Sequence, residues 1–335
     1  MKKWKVVVTD RLPPPADVEQ KVLGKSAKIL VLQKKKEEHV LKTVEDADAL
    51  LVWHEIKITK KSLSKMKKCK VIVRIGVGFD NVDIGYAAKK GIAVCNVPDY
   101  GTNDVADHTM ALILDIYRNM ENVLQQSKKG KNGWRWKVVK SKRLTNQTIG
   151  IIGLGRIGTA VALRAKPFGL KVIFYDPYKP RGIEKSLGIE RKDILYDLLR
   201  ESDIVSFHVP LTEETKNMAD RKFFSALKPG AVLINTARGA VVNLEELYKA
   251  MKRGIVKAAG FDVMPQEPPL DSDPLIKAWL NNAQWLKNRL LITPHCAFYS
   301  PEAYTEMRVK AAQEAKRVLE GKLPYNCVNL NREYV

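Results

Sequence analysis

An arginine in LINTARGAVV, a glutamate in AAGFDVMPQEPP and a histidine in LLITPHCAFYS each follow an apolar, strand-like run. A core would not choose Arg238, Glu267 or His295 at such positions, and together they suit reduction of a carbonyl. A guanidinium grips a carboxylate or a carbonyl with a fork that lysine lacks. An imidazolium can protonate the oxygen as hydride reaches the carbon, while a carboxylate holds the ring and supports its protonated form. Taken singly, each has a plainer alternative: an exposed arginine, a loop glutamate, a packed histidine. His295-Cys296 also raises half of a Cys/His metal site. Adjacent side chains on an extended strand point to opposite faces, however, and no second Cys/His cluster is near in sequence. No metal is therefore expected, and Cys296 is expected to point away. Of the other histidines, His39, His54, His108 and His208 read as surface or core residues, with His54 and His108 the candidates to line a crevice. A Ser/His/Asp hydrolase would need a GxSxG elbow, which the chain lacks.

A second constellation lies upstream. TIGIIGLGRIGTAVALRAKPFGLKVIFYD contains Gly153-Leu-Gly155-Arg-Ile-Gly158 between a strand pattern and a helix pattern, and a second strand pattern then ends in Asp176. Gly153 permits a tight turn, Gly155 lets the backbone approach a pyrophosphate, and Gly158 allows close helix–strand packing. The free N–H groups of a helix N-terminus would hold the pyrophosphate. Asp176 would accept from the adenosine ribose hydroxyls and repel a 2′-phosphate, which favours NAD over NADP despite Arg156 and Lys179 nearby.

These residues need a scaffold that brings strand ends to one edge. Strand patterns occur at Lys5–Thr9, Lys28–Leu32, Ala49–Trp53, Lys70–Ile75 and Ile92–Cys95, alternating with helical or loop stretches. A long apolar-periodic helix is expected from about Asp104 to Asn122. A second series follows at Thr148–Ile152, Lys171–Tyr175, Asp203–Val209, Ala231–Asn235, Lys257–Val263 and Leu290–Thr293. Most are continuous apolar runs, as parallel strands covered on both faces require. Helices between them, one closed by Gly254, make a doubly wound sheet the natural fold, with ligands at the carboxyl ends of its strands. Ser300-Pro301 is expected to open a last helix with Met307, Ala311, Ala315 and Leu319 on one face, ending at Gly321.

The chain has 335 residues, too many for one typical core, so two domains are expected. With 45% hydrophobic and 28% charged residues the composition is globular, and no apolar run is long enough to span a bilayer. The N-terminus lacks the pattern of a secretory signal, and four separated cysteines without a CxxC pair fit a reducing, cytoplasmic compartment. The net charge of +21 invites a nucleic-acid reading. Most lysines are scattered, as on a solvated surface. The exception is KKGKNGWRWKVVKSKR at 128–143, a polyanion contact or an exposed connector.

RIGVGFDNVD, GLGRIG, the following Asp176, NTARG, DVMPQEPP and TPH stand in the order found in D-isomer-specific 2-hydroxyacid dehydrogenases, which the chain resembles over almost its whole length. Within that family VIVRIGVGFDNVDI, GIAVCNVPDY, VALRAKPFG, FYDPY, HCAFYSPEA and NCVN resemble the C-terminal-binding-protein branch. The resemblance implies an α/β protein of two doubly wound βαβ domains. A Rossmann NAD-binding domain with a dimerisation arm, 102–298, would be inserted into a flavodoxin-like substrate domain formed by 1–101 and 299–335. It implies a homodimer, the helix from Asp104 and the tryptophans of GWRW belonging to the arm. It also makes Arg238 the substrate-carboxylate arginine, Glu267 the acid of a dyad and His295 the proton donor. Arg74, Gly76, Val77, Gly78 and Phe298 would line the substrate side. Thr109, Gly153, Gly155, Arg156, Ile157, Gly158, Asp176, Val209, Pro210, Thr215, Thr236, Ala237, Asp262 and Ala297 would surround NAD. Phe298 stands where the animal co-repressors of the branch have a tryptophan, leaving a smaller aromatic wall without an N–H donor.

Two functions of different class follow. The first is a cytoplasmic NAD-dependent oxidoreductase interconverting a small 2-oxo acid and its D-2-hydroxy acid. The second is an NAD(H)-responsive transcriptional co-repressor or scaffold that recruits proteins, since the Arg/Glu/His set resembles that pattern too. The short stretch after NCVN, the lack of a nuclear-localisation cluster and the TDRLPPPADVEQ segment favour the enzyme. Direct nucleic-acid binding through 128–143 is the minor third reading.

Overall fold

A computed structural model describes residues 3–136 and 141–329; part of the basic segment, residues 137–140, lies outside them. The chain divides into two compact units, residues 1–101 with 299–335, and residues 102–298.

The first unit contains a parallel sheet of β1 (Trp4–Val8), β2 (Ala27–Val31), β3 (Ala49–Val52), β4 (Val71–Arg74) and β5 (Ala93–Cys95), in spatial order β2-β1-β3-β4-β5. This is the flavodoxin-like order. Every side chain of β3, β4 and β5 is buried, which is why their sequences are unbroken apolar runs. The helix Pro301–Leu319 returns to this unit. Ser300 Oγ accepts from the Ala303 N–H at 3.0 Å, and Met307, Ala311, Ala315 and Leu319 are buried.

The second unit holds seven parallel strands: β6 (Thr148–Ile152), β7 (Lys171–Tyr175), β8 (Glu190–Arg191), β9 (Ile204–Phe207), β10 (Ala231–Asn235), β11 (Val256–Phe261) and β12 (Leu290–Ile292). Their order is β12-β11-β10-β9-β6-β7-β8, the Rossmann order with one further strand at an edge. The two-residue β8 escapes sequence reading because Glu190 and Arg191 are polar and half-exposed. A second difference concerns the long helix. It runs Thr102–Arg118, is interrupted at Asn119, which takes a left-handed φ of 55°, and resumes as Met120–Ser127. Asparagine tolerates that conformation better than most residues, so the apolar period continues through a break it does not reveal.

Within the first unit, Arg308 pins the last helix to the helix Asp17–Leu23. Its guanidinium donates from Nε and Nη2 to both Glu19 carboxylate oxygens at 2.8 Å and from Nη2 to Asp17 at 3.0 Å. Glu19 is fully buried, so deleting its partner strands a charge. Arg308→Leu is expected to lower unfolding stability by about 3–5 kcal/mol in urea titrations; a loss below about 1 kcal/mol would show the pair to be incidental.

Candidate active site

At the carboxyl end of β6 the chain turns sharply through Gly153, which has a φ of +90°. A Cβ there would lie 2.7 Å from the His208 carbonyl and 2.8 Å from Val209 Cγ1, so the loops after β6 and β9 touch. These neighbouring strands lead in opposite directions across the sheet, and the crevice between them is where doubly wound folds bind ligands. Gly155 precedes the helix Arg156–Ala165, whose first turn has no side-chain cap, and a Cβ at Gly155 would meet nothing within 4 Å. Uncapped N–H groups beside open space fit a dinucleotide pyrophosphate. A Cβ at Gly158 would sit 2.1 Å from the Gly153 carbonyl oxygen, which any larger residue would push out of place. Arg156 and Ile157 form the first turn of that helix.

Asp176 follows β7. Its carboxylate accepts from the N–H of Leu154 at 2.8 Å and of Tyr178 at 3.0 Å, tying the glycine loop to the second strand end. Beyond β9, Thr215 Oγ accepts from the Thr212 N–H at 2.9 Å and donates to the Pro210 carbonyl at 2.6 Å, closing the loop that starts at Val209. Thr109 and Thr236 share a buried hydroxyl hydrogen bond of 2.9 Å, linking the helix Thr102–Arg118 to the end of β10.

Arg238, Glu267 and His295 follow β10, β11 and β12, which are neighbours in the sheet. His295 Nδ1 lies 2.6 Å from Glu267 Oε2, and Glu267 Oε1 accepts from the Met264 N–H at 3.0 Å. A carboxylate on Nδ1 fixes the orientation of the imidazole ring. The His295 and Phe298 rings meet edge to face at 6.1 Å between centroids. Arg238 is set by Asn235, whose amide donates to the Arg238 carbonyl at 2.9 Å and whose Oδ1 accepts from Ala237 N–H at 3.0 Å. The Arg238 guanidinium donates to the Ala237 carbonyl at 2.8 Å. A Cβ on Gly239 would fall 1.9 Å from the Met264 carbonyl carbon, so only glycine lets this turn rest against the loop carrying Glu267.

His295 is held in the left-handed region, at φ +52°, by Asp262. The Asp262 carbonyl accepts from the His295 N–H at 2.8 Å. Its carboxylate accepts from Thr293 Oγ at 2.6 Å, Cys296 N–H at 2.9 Å and Ala297 N–H at 2.9 Å. The segment is thus a turn wrapped around a carboxylate, and the extended-strand argument for sending Cys296 away does not hold. Its thiol lies in a group with His108 and Asp262 whose ligand atoms are all within 4.8 Å of one another. The carboxylate of that group is already engaged by three protein donors. His108 Nε2 stands 3.0 Å from Thr293 Oγ. As Thr293 donates to Asp262, its oxygen accepts from a His108 Nε2–H. Asn235 and Thr293 were not anticipated from sequence, whereas His108 was a candidate to line the crevice; an asparagine ending a strand before Thr-Ala-Arg-Gly was the available signal for the first.

In the first unit, Arg74 ends β4 and its Nη1 donates to the Ile75 carbonyl at 2.6 Å. The guanidinium lies across Gly76, where a Cβ would come 1.7 Å from Nη1. Val97 N–H donates to the Gly76 carbonyl at 3.0 Å and the Asn96 amide to the Val77 carbonyl at 2.6 Å, fixing the loop that continues into Gly78.

Residues 110–297 match the family described as D-isomer specific 2-hydroxyacid dehydrogenase, NAD binding domain. The chain belongs to this family. It is 38% identical over 97% of its length to D-3-phosphoglycerate dehydrogenase of Methanocaldococcus jannaschii and 36% identical over 88% to C-terminal-binding protein 1 of Caenorhabditis elegans. It spans 59% and 40% of the lengths of those two relatives. The structure of D-lactate dehydrogenase from Aquifex aeolicus complexed with NAD and lactic acid superposes with a TM-score of 0.82 at 33% identity, covering 95% of this chain and 96% of that one. Among the described residues no helix is long and apolar enough to cross a membrane.

His208, in the loop against Gly153, bonds to Ser206 Oγ at 2.9 Å through Nε2, and burial depresses its imidazole from the ordinary 6.5 to about 3. It is expected to stay neutral from pH 8 to pH 5 in imidazole NMR spectra. The unfolded chain takes up this proton near pH 6.5 and the folded chain only near 3. Its share of stability is therefore complete above 6.5 and falls between those values, by up to about 1.4 kcal/mol per pH unit. A resonance titrating near pH 6.5 would refute the assignment.

Proposed function

We propose that the protein interconverts a small 2-oxo acid and its D-2-hydroxy acid, with His295 as general acid and base. The observation that supports this most is the 2.6 Å His295–Glu267 contact at the sheet edge where the Arg238 turn also emerges. Bound NAD would supply the hydride acceptor, and NADH the donor, in the crevice at the carboxyl ends of β6 and β9. Arg238 grips the substrate carboxylate and orients it. His295 Nε2 gives its proton to the carbonyl oxygen during reduction and takes it back during oxidation. Glu267 fixes the ring through Nδ1 and balances the positive charge of the imidazolium. Phe298 packs against the ring edge-on and limits its rotation. By the family pattern, Arg74 and the backbone of Gly76, Val77 and Gly78 in the first unit are carried over as substrate-side residues. The D configuration is carried over from the family, and the curated and solved relatives act on phosphoglycerate and lactate by name. The working unit is a homodimer formed through the 102–298 unit and its arm.

Purified protein with NADH and a panel of 2-oxo acids is expected to oxidise the cofactor. His295→Gln should reduce kcat by about 10²–10⁴ with NADH affinity nearly unchanged. A rate surviving this substitution would remove His295 from the chemistry. No turnover across the panel, combined with NADH-dependent capture of transcriptional proteins, would instead support the co-repressor reading that the Caenorhabditis elegans relative brings.

Asp176 is the basis for preferring NADH. Asp176→Ser removes the charge that repels a 2′-phosphate, and the ratio of kcat/KM for NADPH to that for NADH should rise at least about tenfold, or 1.4 kcal/mol. An unchanged ratio would mean that another residue selects the cofactor.

A further inference from the structure

The second sheet has a cavity at its other edge, where strands begin. Its volume is about 390 Å³, and it lies among the residues that start β10 and β11, those that precede β12, and the end of the helix Thr102–Arg118. It shares no residue with the site above. Lys142, Lys257, Lys287 and Arg289 line it, and no aspartate or glutamate does.

The cations lack the neutralisation that such a cluster ordinarily has. Arg289 is immobilised by backbone carbonyls alone. Nε donates to Lys257 O at 2.7 Å, Nη1 to Trp285 O at 2.9 Å, and Nη2 to Met251 O at 2.8 Å and Val256 O at 3.0 Å. These bonds use four of its five N–H donors and leave its charge. Among the described residues, no carboxylate oxygen lies within 4.0 Å of this guanidinium or of the three ammonium groups. Asp203, whose field reaches Tyr117 in the cavity wall, is already engaged by Lys228 at 2.6 Å and the Thr148 N–H at 2.9 Å. Burial, and then repulsion from Lys142 and Arg289, holds the Lys257 amine below the ordinary lysine range.

Like charges gathered around a concave site repel one another, even where, as at Lys142, Lys257 and Lys287, the side chains are exposed, and an anion in the centre relieves the cost. The volume falls within the roughly 300–1,000 Å³ of small-molecule pockets. Ile116, Val232 and Ala258 give apolar surface, and three asparagines, at 119, 122 and 288, give amides that can orient a ligand. Lysines converging on a cavity suit a compact polyanion, whereas a nucleic-acid duplex calls for a stripe along a surface. We propose that this cavity binds a small phosphorylated metabolite, its phosphates placed among Lys142, Lys257 and Lys287 above the fixed charge of Arg289. This site is separate from the cofactor crevice and does not rest on the catalytic reading.

The test is calorimetric titration of the full chain with inorganic pyrophosphate, in the presence of saturating NADH so that the glycine loop is occupied. Saturable binding is expected, weakened at least about tenfold in Lys257→Gln/Lys287→Gln. Lys222→Gln, an exposed lysine elsewhere in the unit, should change nothing. The double variant removes charge without creating a cavity, and an unchanged melting curve would establish that it folds. Absence of saturable binding at millimolar pyrophosphate would overturn the proposal, as would equal weakening by the Lys222 variant. Light scattering and a labelled DNA duplex complete the test. If pyrophosphate does not bind but the double variant alters the oligomeric state or DNA binding, the cavity is a subunit or nucleic-acid contact instead.

Discussion

The geometry of the candidate site depends on one buried carboxylate. Asp262 directly follows β11, and β11 pairs with β12 through Phe261 and Ile292, so the two strands end side by side. Past that point the backbone ladder stops, and Asp262 takes over its donors. Its carbonyl and both carboxylate oxygens engage Thr293, His295, Cys296 and Ala297. A left-handed histidine is a conformation that persists only where its surroundings over-determine it. Four hydrogen bonds from one residue supply that constraint. The imidazole then meets Glu267, whose other oxygen is bonded to the backbone of the same loop. An imidazole mounted on an unrestrained turn would sample many orientations; this one is held from both sides.

Parallel strands make the rest of the arrangement possible. With all seven strands running one way, their trailing loops emerge on a common edge, and neighbouring strands place neighbouring loops in contact. Glycine sets how close those contacts are. Gly153 brings the β6 loop against the β9 loop, and Gly239 brings the β10 turn against the β11 loop. In both, the atoms that would collide with a Cβ include backbone, which cannot swing away as a flexible side chain can. The glycine loop and the Arg238, Glu267 and His295 group thus occupy two stretches of one edge: β6, β7 and β9 for the first, β10 to β12 for the second.

Much of this was legible in the sequence, and the exceptions have physical causes. Buried parallel strands are written as uninterrupted Val/Ile/Leu/Ala runs, so eleven of the twelve strands were found, five of them in the first sheet. β8 was not, because a polar two-residue edge strand carries no hydrophobic signal. Apolar periodicity passed straight through the break at Asn119, since periodicity reports a buried face and not backbone continuity. The Arg238, Glu267 and His295 positions stood out because polar residues at strand ends conflict with the core pattern around them. The supporting residues Asn235 and Thr293 did not, because small polar residues have many uses and only the register of adjacent strands shows which one applies. The case for sending Cys296 away assumed an extended geometry, where Asp262, 34 residues upstream and directly after the neighbouring β11, imposes a turn.

The two edges of the second sheet are joined by the strands themselves. Lys257 is the second residue of β11, and Asp262 comes directly after its last residue. A six-residue strand covers about 20 Å, and β11 is buried along all of it except at Lys257. Such a strand has little freedom to bend, so a displacement at its start is carried along its length rather than absorbed. Yet rigidity alone transmits nothing. An occupant of the cationic cavity changes the catalytic turn only if it binds one position of β11 more tightly than another, and the effect cannot exceed that difference in affinity. The hydrogen bonds of Asp262 make the turn a single well-defined state. An occupant that did so would shift Asp262 as a unit, moving His295, Cys296 and Ala297 together, because each of their N–H groups is bound to it.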